Sequence, residues 1–108
     1  MPILRKVSRG HGLGVEQVLA PHRTQILRAA QQRGFGHVRV FGSVRRSEAT
    51  RSSDIDLLVD RNAETSLLDR VALMHDLERI LHRKVDVIPE EALHWLARPQ
   101  VLFEAIPL

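Results

Sequence analysis

VFGSVRRSEATRSSDIDLLVD, residues 40–60, joins two apolar, strand-like runs through a polar segment. Gly42 and Ser43 end the first run, and ten residues separate Ser43 from Asp54. Asp54 and Asp56 open the second run, at the point where a core strand is expected to begin. Burying an unpaired carboxylate costs on the order of several kcal/mol, so this arrangement requires a compensating interaction.

The carboxylates in the apolar strands have a defined geometry. Side chains at positions i and i+2 of a strand share a face, so we expect Asp54 and Asp56 to lie side by side. Asp86 is a third carboxylate inside an apolar strand, VDVI. Neighbouring carboxylates raise one another's pKa. Either arginines pair with them, or they bind a hard divalent cation such as Mg²⁺; alternatively, Asp54 caps a strand end and Asp86 is an exposed edge residue.

The Gly-Ser pair has its own chemistry. Glycine lets the backbone approach a ligand closely. Ser43, as the N-cap of a short helix, would offer a hydroxyl and free N–H groups to phosphate oxygens. Most such pairs only turn the chain, so the interpretation depends on the carboxylates that follow. Four arginines surround the stretch: Arg39, Arg45, Arg46 and Arg51. They indicate either a solvated basic face or a local anion site.

Periodicity and turn residues predict the element order α-β-α-β-α-β-α. Helices are predicted over about residues 15–33, 43–49, 65–81 and 89–97, and strands over residues 37–41, 54–59 and 84–88. Thr65 or Ser66 would cap the third helix, and Pro99 would stop the fourth. The third helix carries an apolar stripe predicted to face the core: Leu67, Val71, Met74, Leu77 and Leu81. The segment 101–108 is apolar but too short to assign.

This order and size predict an α+β fold of two layers, in which a small mixed β-sheet carries helices on one face. The 108 residues, 44% of them apolar, suffice for one core. Residues 1–14 contain three glycines and several charges, so we predict a flexible basic arm there. Residues 15–108 would form the single domain.

Composition argues against several classes of protein. The net charge is +3, and the pI of about 10.5 overstates it because Cys and Tyr are absent. One Trp and three Phe offer little for base stacking, so direct nucleic-acid binding is not expected. Neither a membrane-spanning run nor a signal peptide is recognisable, and no membrane partner is expected. Without cysteine there is no disulfide framework, and we expect a cytoplasmic protein.

The combination of Gly42-Ser43, ten residues, Asp54-x-Asp56 and a later Asp86 resembles the signature of the polymerase β-like nucleotidyltransferase superfamily. Its minimal, antitoxin-type (MNT) branch is the most similar in extent, from about Pro21 to the closing AIPL. The chain departs from the family's GSxARG run, because Arg45 replaces a small residue and Ser47 replaces a glycine.

The resemblance implies a nucleotidyltransferase fold and specific residue roles. Asp54, Asp56 and Asp86 would be catalytic and would bind two Mg²⁺ ions. Gly42, Ser43 and Arg46 would hold the triphosphate of ATP.

The resemblance also implies an activity and a partner. The enzyme would transfer AMP, or another NMP, from a nucleoside triphosphate to an acceptor hydroxyl by two-metal phosphoryl transfer. Members of the antitoxin branch modify a tyrosine of a HEPN-type toxin, and we expect such a partner here. The alternative is a non-catalytic binding antitoxin that neutralises its partner by contact, through the region between Trp95 and Phe103.

Overall fold

The computed structural model describes residues 10–108. Five α-helices, two short 3₁₀ turns and four strands alternate along this part of the chain. In order they are α1 (Val15–Val18), a 3₁₀ turn (Ala20–His22), α2 (Arg23–Gln32), β1 (Phe35–Phe41), α3 (Gly42–Arg45), β2 (Ile55–Arg61), α4 (Leu67–Leu81), β3 (Val85–Pro89), a second 3₁₀ turn (Glu90–Ala92), α5 (Arg98–Glu104) and β4 (Ile106–Pro107).

The four strands form one mixed sheet in the order β3-β2-β1-β4. Strand β1 is antiparallel to both β2 and β4, whereas β2 and β3 are parallel. A parallel pair needs a long crossover connection, and α4 provides it. The mixed sheet and its helical layer confirm the predicted α+β fold.

The core lies between the sheet and the helices α2 and α4. Alternate residues of β2, Ile55, Leu57 and Val59, point into it and are fully or almost fully buried. Leu58, between Leu57 and Val59, is buried on the opposite face of the strand, outside this core, and its register partner is Arg39. Both faces of β2 are therefore partly covered, and its polar residues are confined to the two ends.

Helix α4 begins at Ser66, one of the two predicted caps. The Ser66 hydroxyl accepts a hydrogen bond from the Asp69 N–H, and the Asp69 carboxylate accepts one from the Ser66 N–H. This reciprocal capping box satisfies backbone donors of the first turn.

The predicted apolar stripe of α4 is only half correct. Leu77 and Leu81 are buried as predicted, but Leu67 and Val71 are exposed. Leu73, which the prediction missed, is fully buried and lies four residues before Leu77. The buried row of α4 is thus Leu73, Leu77 and Leu81, and spacing of four residues keeps these side chains on one face of the helix.

The prediction for residues 89–97 is wrong. Only a 3₁₀ turn, Glu90–Ala92, follows β3. Helix α5 starts at Arg98, with Pro99 in its first turn, so this proline begins a helix and does not stop one. Proline suits the first turn because its missing N–H would have no partner there. The unassigned segment supplies the end of α5 and all of β4.

The first predicted helix is divided in two, with Pro21 in the intervening 3₁₀ turn. Before it, the Gly10 N–H donates to the Arg46 carbonyl (2.8 Å), and Leu13 forms a bridge with Ala49. Residues 10–14 of the predicted flexible arm are thus hydrogen-bonded, and residues 1–9 lie outside the described part. Across residues 10–108, every helix is too short or too polar to cross a membrane.

Candidate active site

Two of the three predicted aspartates are direct neighbours in the sheet. Asp56 of β2 and Asp86 of β3 are register partners in the parallel pair, and both are half-buried. Asp54 precedes β2 by one residue and is exposed. Ile55 and Leu57 point into the core, which leaves the aspartates on the opposite side of the strand.

The charges around Asp56 disfavour its ionised form. Burial raises the pKa of the Asp56 carboxyl, and the negative charges of Asp86 and Asp54 raise it further. The Arg46 guanidinium acts in the opposite direction, while Glu104 adds to the rise. A cation near Asp56 would relieve this repulsion.

The aspartates line a cavity of about 230 Å³. Glu78 and Lys84 also line it, and the Glu78 carboxylate accepts a hydrogen bond from the Val85 N–H (3.2 Å). A larger cavity, about 680 Å³, lies between α2 and α4 and contains none of the three aspartates. Size therefore does not indicate the site, whereas the clustering of carboxylates does.

The donor set of this cavity suits a hard cation. Within residues 10–108, His, Asp and Glu side chains do not form any group of three that could hold an ion on its own. Mg²⁺ usually takes one or two protein carboxylates and completes its shell with water and substrate phosphates. Asp56 and Asp86, with Asp54 beside them, fit such an incomplete site.

The Gly42 turn lies directly against Asp56. Gly42 has a φ of +77°, in the left-handed region that favours glycine, and a Cβ atom there would overlap the Asp56 carboxylate. Helix α3 starts at Gly42 and ends at Arg45, so its N-cap is Phe41. The predicted N-cap role of Ser43 and the predicted end near residue 49 are wrong.

The arginines interpreted as either a solvated basic face or a local anion site do not all lie together. Buried Arg39 donates to Asp60 and to Glu90 (2.7 Å each) and is thereby paired with carboxylates. Arg46 lies at the Gly42 turn, where its Nε donates to Glu48 (3.0 Å). Hydrogen bonds to carboxylates raise the pKa of the Arg46 guanidinium.

Glu104, in the last turn of α5, is a site residue that the sequence reasoning missed. Its carboxylate accepts hydrogen bonds from the Gly42 N–H (2.6 Å) and from Nη1 of Arg46 (2.9 Å). The signal was present, since Glu104 is a lone acidic residue in the apolar segment VLFEAIPL, as Asp86 is in VDVI.

Ser47, where the family has a glycine, has a φ of +59°. Its carbonyl accepts a hydrogen bond from the Gly12 N–H (2.7 Å), which holds the segment after α3. The family's glycine thus corresponds to a left-handed backbone position, and serine occupies it here at some conformational cost.

The profile of the nucleotidyltransferase domain family matches residues 23–108, which include the Gly42 turn and all three aspartates. This chain belongs to the nucleotidyltransferase family. The nucleotidyltransferase is 36% identical over 84 residues to a protein of Methanocaldococcus jannaschii provisionally named a protein adenylyltransferase, covering 78% of this chain and 90% of that one. It is 33% identical over 92 residues to the protein adenylyltransferase MntA of Thermococcus cleftensis, covering 85% and 90%.

Solved structures agree with the sequence relatives. One provisionally named a minimal nucleotidyltransferase superposes with a TM-score of 0.78 at 42% identity, covering 92% of this chain and all (100%) of that one. A toxin–antitoxin structure with AMP-PNP superposes with a TM-score of 0.68 at 21% identity, covering 78% and 69%, and shows the shared fold. Together with the sequence relatives, the first structure identifies the enzyme as an MNT-type nucleotidyltransferase, as predicted.

Proposed function

We propose that this nucleotidyltransferase transfers AMP from ATP to a hydroxyl group of a partner protein, in a Mg²⁺-dependent reaction. The observation that carries the proposal is the Asp56–Asp86 pair, in which Asp56 lies against Gly42. Its sequence relatives named as protein adenylyltransferases support the choice of AMP and of a protein acceptor. We place the reaction in the cytoplasm, as expected from the sequence.

Each site residue has a role in this proposal. Asp54, Asp56 and Asp86 would hold two Mg²⁺ ions, whose chemistry is to neutralise phosphate charge and to lower the pKa of the acceptor hydroxyl. Ser43, with the backbone of the Gly42 turn, would bind the triphosphate, and Arg46 would contribute positive charge. The acceptor hydroxyl would release its proton to solvent and its oxygen would attack the α-phosphorus in line. The bond from the α-phosphorus to the oxygen that bridges it to the β-phosphorus would break, and pyrophosphate would leave.

We propose a tyrosine of a HEPN-type toxin as the acceptor, which makes the chain an antitoxin. The resemblance to the antitoxin branch supports this choice. The 108-residue sequence contains no tyrosine, so any AMP-tyrosine formed in a two-component reaction must belong to the partner.

The test incubates the chain with a HEPN-type toxin, ATP and Mg²⁺, and measures the intact mass of each protein. We expect the toxin to gain the mass of AMP, on a tyrosine identified by peptide sequencing, and Asp56→Asn to abolish this gain. Glu64→Gln, which removes an exposed carboxylate far from the cavity, is the matched control and should retain full transfer.

A non-catalytic binding antitoxin is the second candidate. It is favoured by one observation: Trp95, Leu96 and Phe103, three large apolar side chains of one short segment, are 73%, 68% and 51% exposed. Neutralisation of the toxin without a change in its mass, retained in Asp56→Asn and lost in Trp95→Ala, would establish this candidate and refute the transferase proposal.

A further inference from the structure

The last helix reaches back to the nucleotide turn. Strand β4 pairs with β1 through Val40–Ile106 and Arg39–Pro107. Because β1 ends at the Gly42 turn, this pairing places the end of α5 beside α3. Glu104 is the last residue of α5, and it lies where the two helices meet.

Glu104 is 6% exposed, and both of its carboxylate oxygens are used. Oε2 accepts from the Gly42 N–H (2.6 Å) and Oε1 accepts from Arg46 Nη1 (2.9 Å). The backbone carbonyl of Glu104 also accepts a hydrogen bond from Arg45 Nε (2.7 Å). Hydrogen bonds to an ionised carboxylate are stronger than neutral ones. Glu104 therefore holds α3 at both ends: at Gly42, its first residue, and at Arg45 and Arg46, its last residue and the C-cap.

The turn that these bonds hold is left-handed and crowded. Gly42 is left-handed, and the place of its missing side chain is filled by the Asp56 carboxylate. Glu104 approaches the same residue from its N–H. Gly42 is therefore fixed between two carboxylates, one of the metal site and one of α5, and Ser43 follows it directly.

We propose that Glu104 is a positioning residue for nucleotide binding: it fixes the Gly42 turn and Arg46 in the geometry that receives the triphosphate. The inference rests on the proposed function, because it assumes that a nucleotide binds at this turn. Glu104 does not touch the reacting atoms in this account.

A competing role for Glu104 makes the opposite prediction. Its carboxylate accepts hydrogen bonds from the Gly42 N–H and the Arg46 guanidinium, two donors that could also bind a phosphate. In this second role, Glu104 would compete with the nucleotide for these donors. Removing a competitor strengthens nucleotide binding, whereas removing a positioning residue weakens it. The sign of the change in affinity decides between them.

The experiment measures the Kd of AMP-PNP with Mg²⁺ by calorimetry for the wild type, Glu104→Gln and Glu104→Ala. Glutamine keeps an acceptor oxygen without the charge, so we expect about threefold weaker binding for Gln and about tenfold or more for Ala. Glu48→Gln removes the other carboxylate on Arg46 without touching Gly42 and should change the Kd less than about twofold. Thermal melts check that each variant is folded. If Glu104→Ala is unfolded, Glu104→Gln alone provides the comparison with the wild type.

A second readout does not depend on nucleotide. The short bond to a carboxylate should shift the Gly42 amide proton downfield in the ¹H–¹⁵N spectrum, and Glu104→Gln should move it upfield while Glu48→Gln leaves it unchanged. Unchanged or tighter AMP-PNP binding in folded Glu104 variants would overturn the inference. Failure of the wild type to bind AMP-PNP would overturn the proposed function. Even in that case, an unchanged Gly42 amide shift in Glu104→Gln would show that Glu104 does not hold the turn.

Discussion

Asp56 stands directly beside Asp86 across the parallel pair of β2 and β3, with the Gly42 turn closing its other side. The sheet thus places two carboxylates side by side, and both are half-buried.

Asp56→Asn should stabilise the metal-free protein. Burial and the charges of Asp86 and Asp54 raise the pKa of Asp56 in the folded state, so its ionised form opposes folding at neutral pH. We expect the melting temperature without divalent ions to rise by a few degrees, on the order of 1 kcal/mol or less. Added Mg²⁺ should stabilise the wild type and leave Asp56→Asn almost unchanged.

The stability difference should also depend on pH in a defined direction. The folded state binds the Asp56 proton more tightly than the unfolded state does, so the penalty is present above the raised pKa. It disappears as the pH falls toward the ordinary value of 3.8. Urea unfolding of both proteins between about pH 7 and pH 4 should show the advantage of Asp56→Asn shrinking, and an advantage that grows at low pH would contradict this account.

Gly42→Ala should abolish nucleotide transfer and destabilise the fold. A side chain at φ +77° is strained and would overlap Asp56, at a cost of roughly 1–3 kcal/mol. Gly36→Ala is the matched control, because a Cβ there meets no atom within 4 Å. Urea unfolding should separate the two variants clearly, and equal stability would show that the turn is not crowded.

Ser47→Gly should stabilise the protein by about 1 kcal/mol, since glycine adopts the observed φ of +59° without strain. Ser52→Gly, in the same polar loop but outside the left-handed region, should be slightly destabilising, because it removes the hydrogen bond between the Ser52 and Thr50 hydroxyls and adds freedom to the unfolded chain. Denaturant midpoints of the two variants provide the comparison, and a destabilised Ser47→Gly would refute the inference that Ser47 is strained at this φ.

Arg39→Ala should destabilise the fold by about 2 kcal/mol or more, because it removes a buried guanidinium from Asp60 and Glu90. Arg61→Ala breaks an exposed pair with Glu91 and should cost less than about 1 kcal/mol. Nucleotide affinity should be unchanged in Arg39→Ala, measured well below its melting temperature. A large loss of affinity would place Arg39 in the anion site after all.

The parts of the site encoded by local sequence were predictable. Gly42, Ser43, Asp54 and Asp56 lie within fifteen consecutive residues, 42–56, where strand alternation and turn chemistry determine their placement. The β2–β3 pairing then brings Asp86 to Asp56, a proximity that the family resemblance implied. The specific roles assigned to these residues stay predictions until the experiments above are done.

The parts that depend on tertiary packing were not predictable from one sequence. The row of α4 that faces the core depends on the angle at which the helix crosses the sheet, so Leu73 was missed and Leu67 was wrongly included. Pro99 is equally compatible with ending one helix and starting another. The partners of Glu104 and Arg39 lie 62 and 51 residues away in the chain, and no local pattern specifies them.

The pairing of β4 with β1 has a consequence for how the site is assembled during folding. The Gly42 turn and Asp56 are close in sequence, whereas Glu104 is placed at the turn by the pairing of β4 with β1. A fragment lacking residues 98–107 could form the three-stranded sheet and still leave the Gly42 N–H and the Arg46 guanidinium without this partner. The last segment of the chain therefore completes both the sheet and the hydrogen bonding of the Gly42 turn.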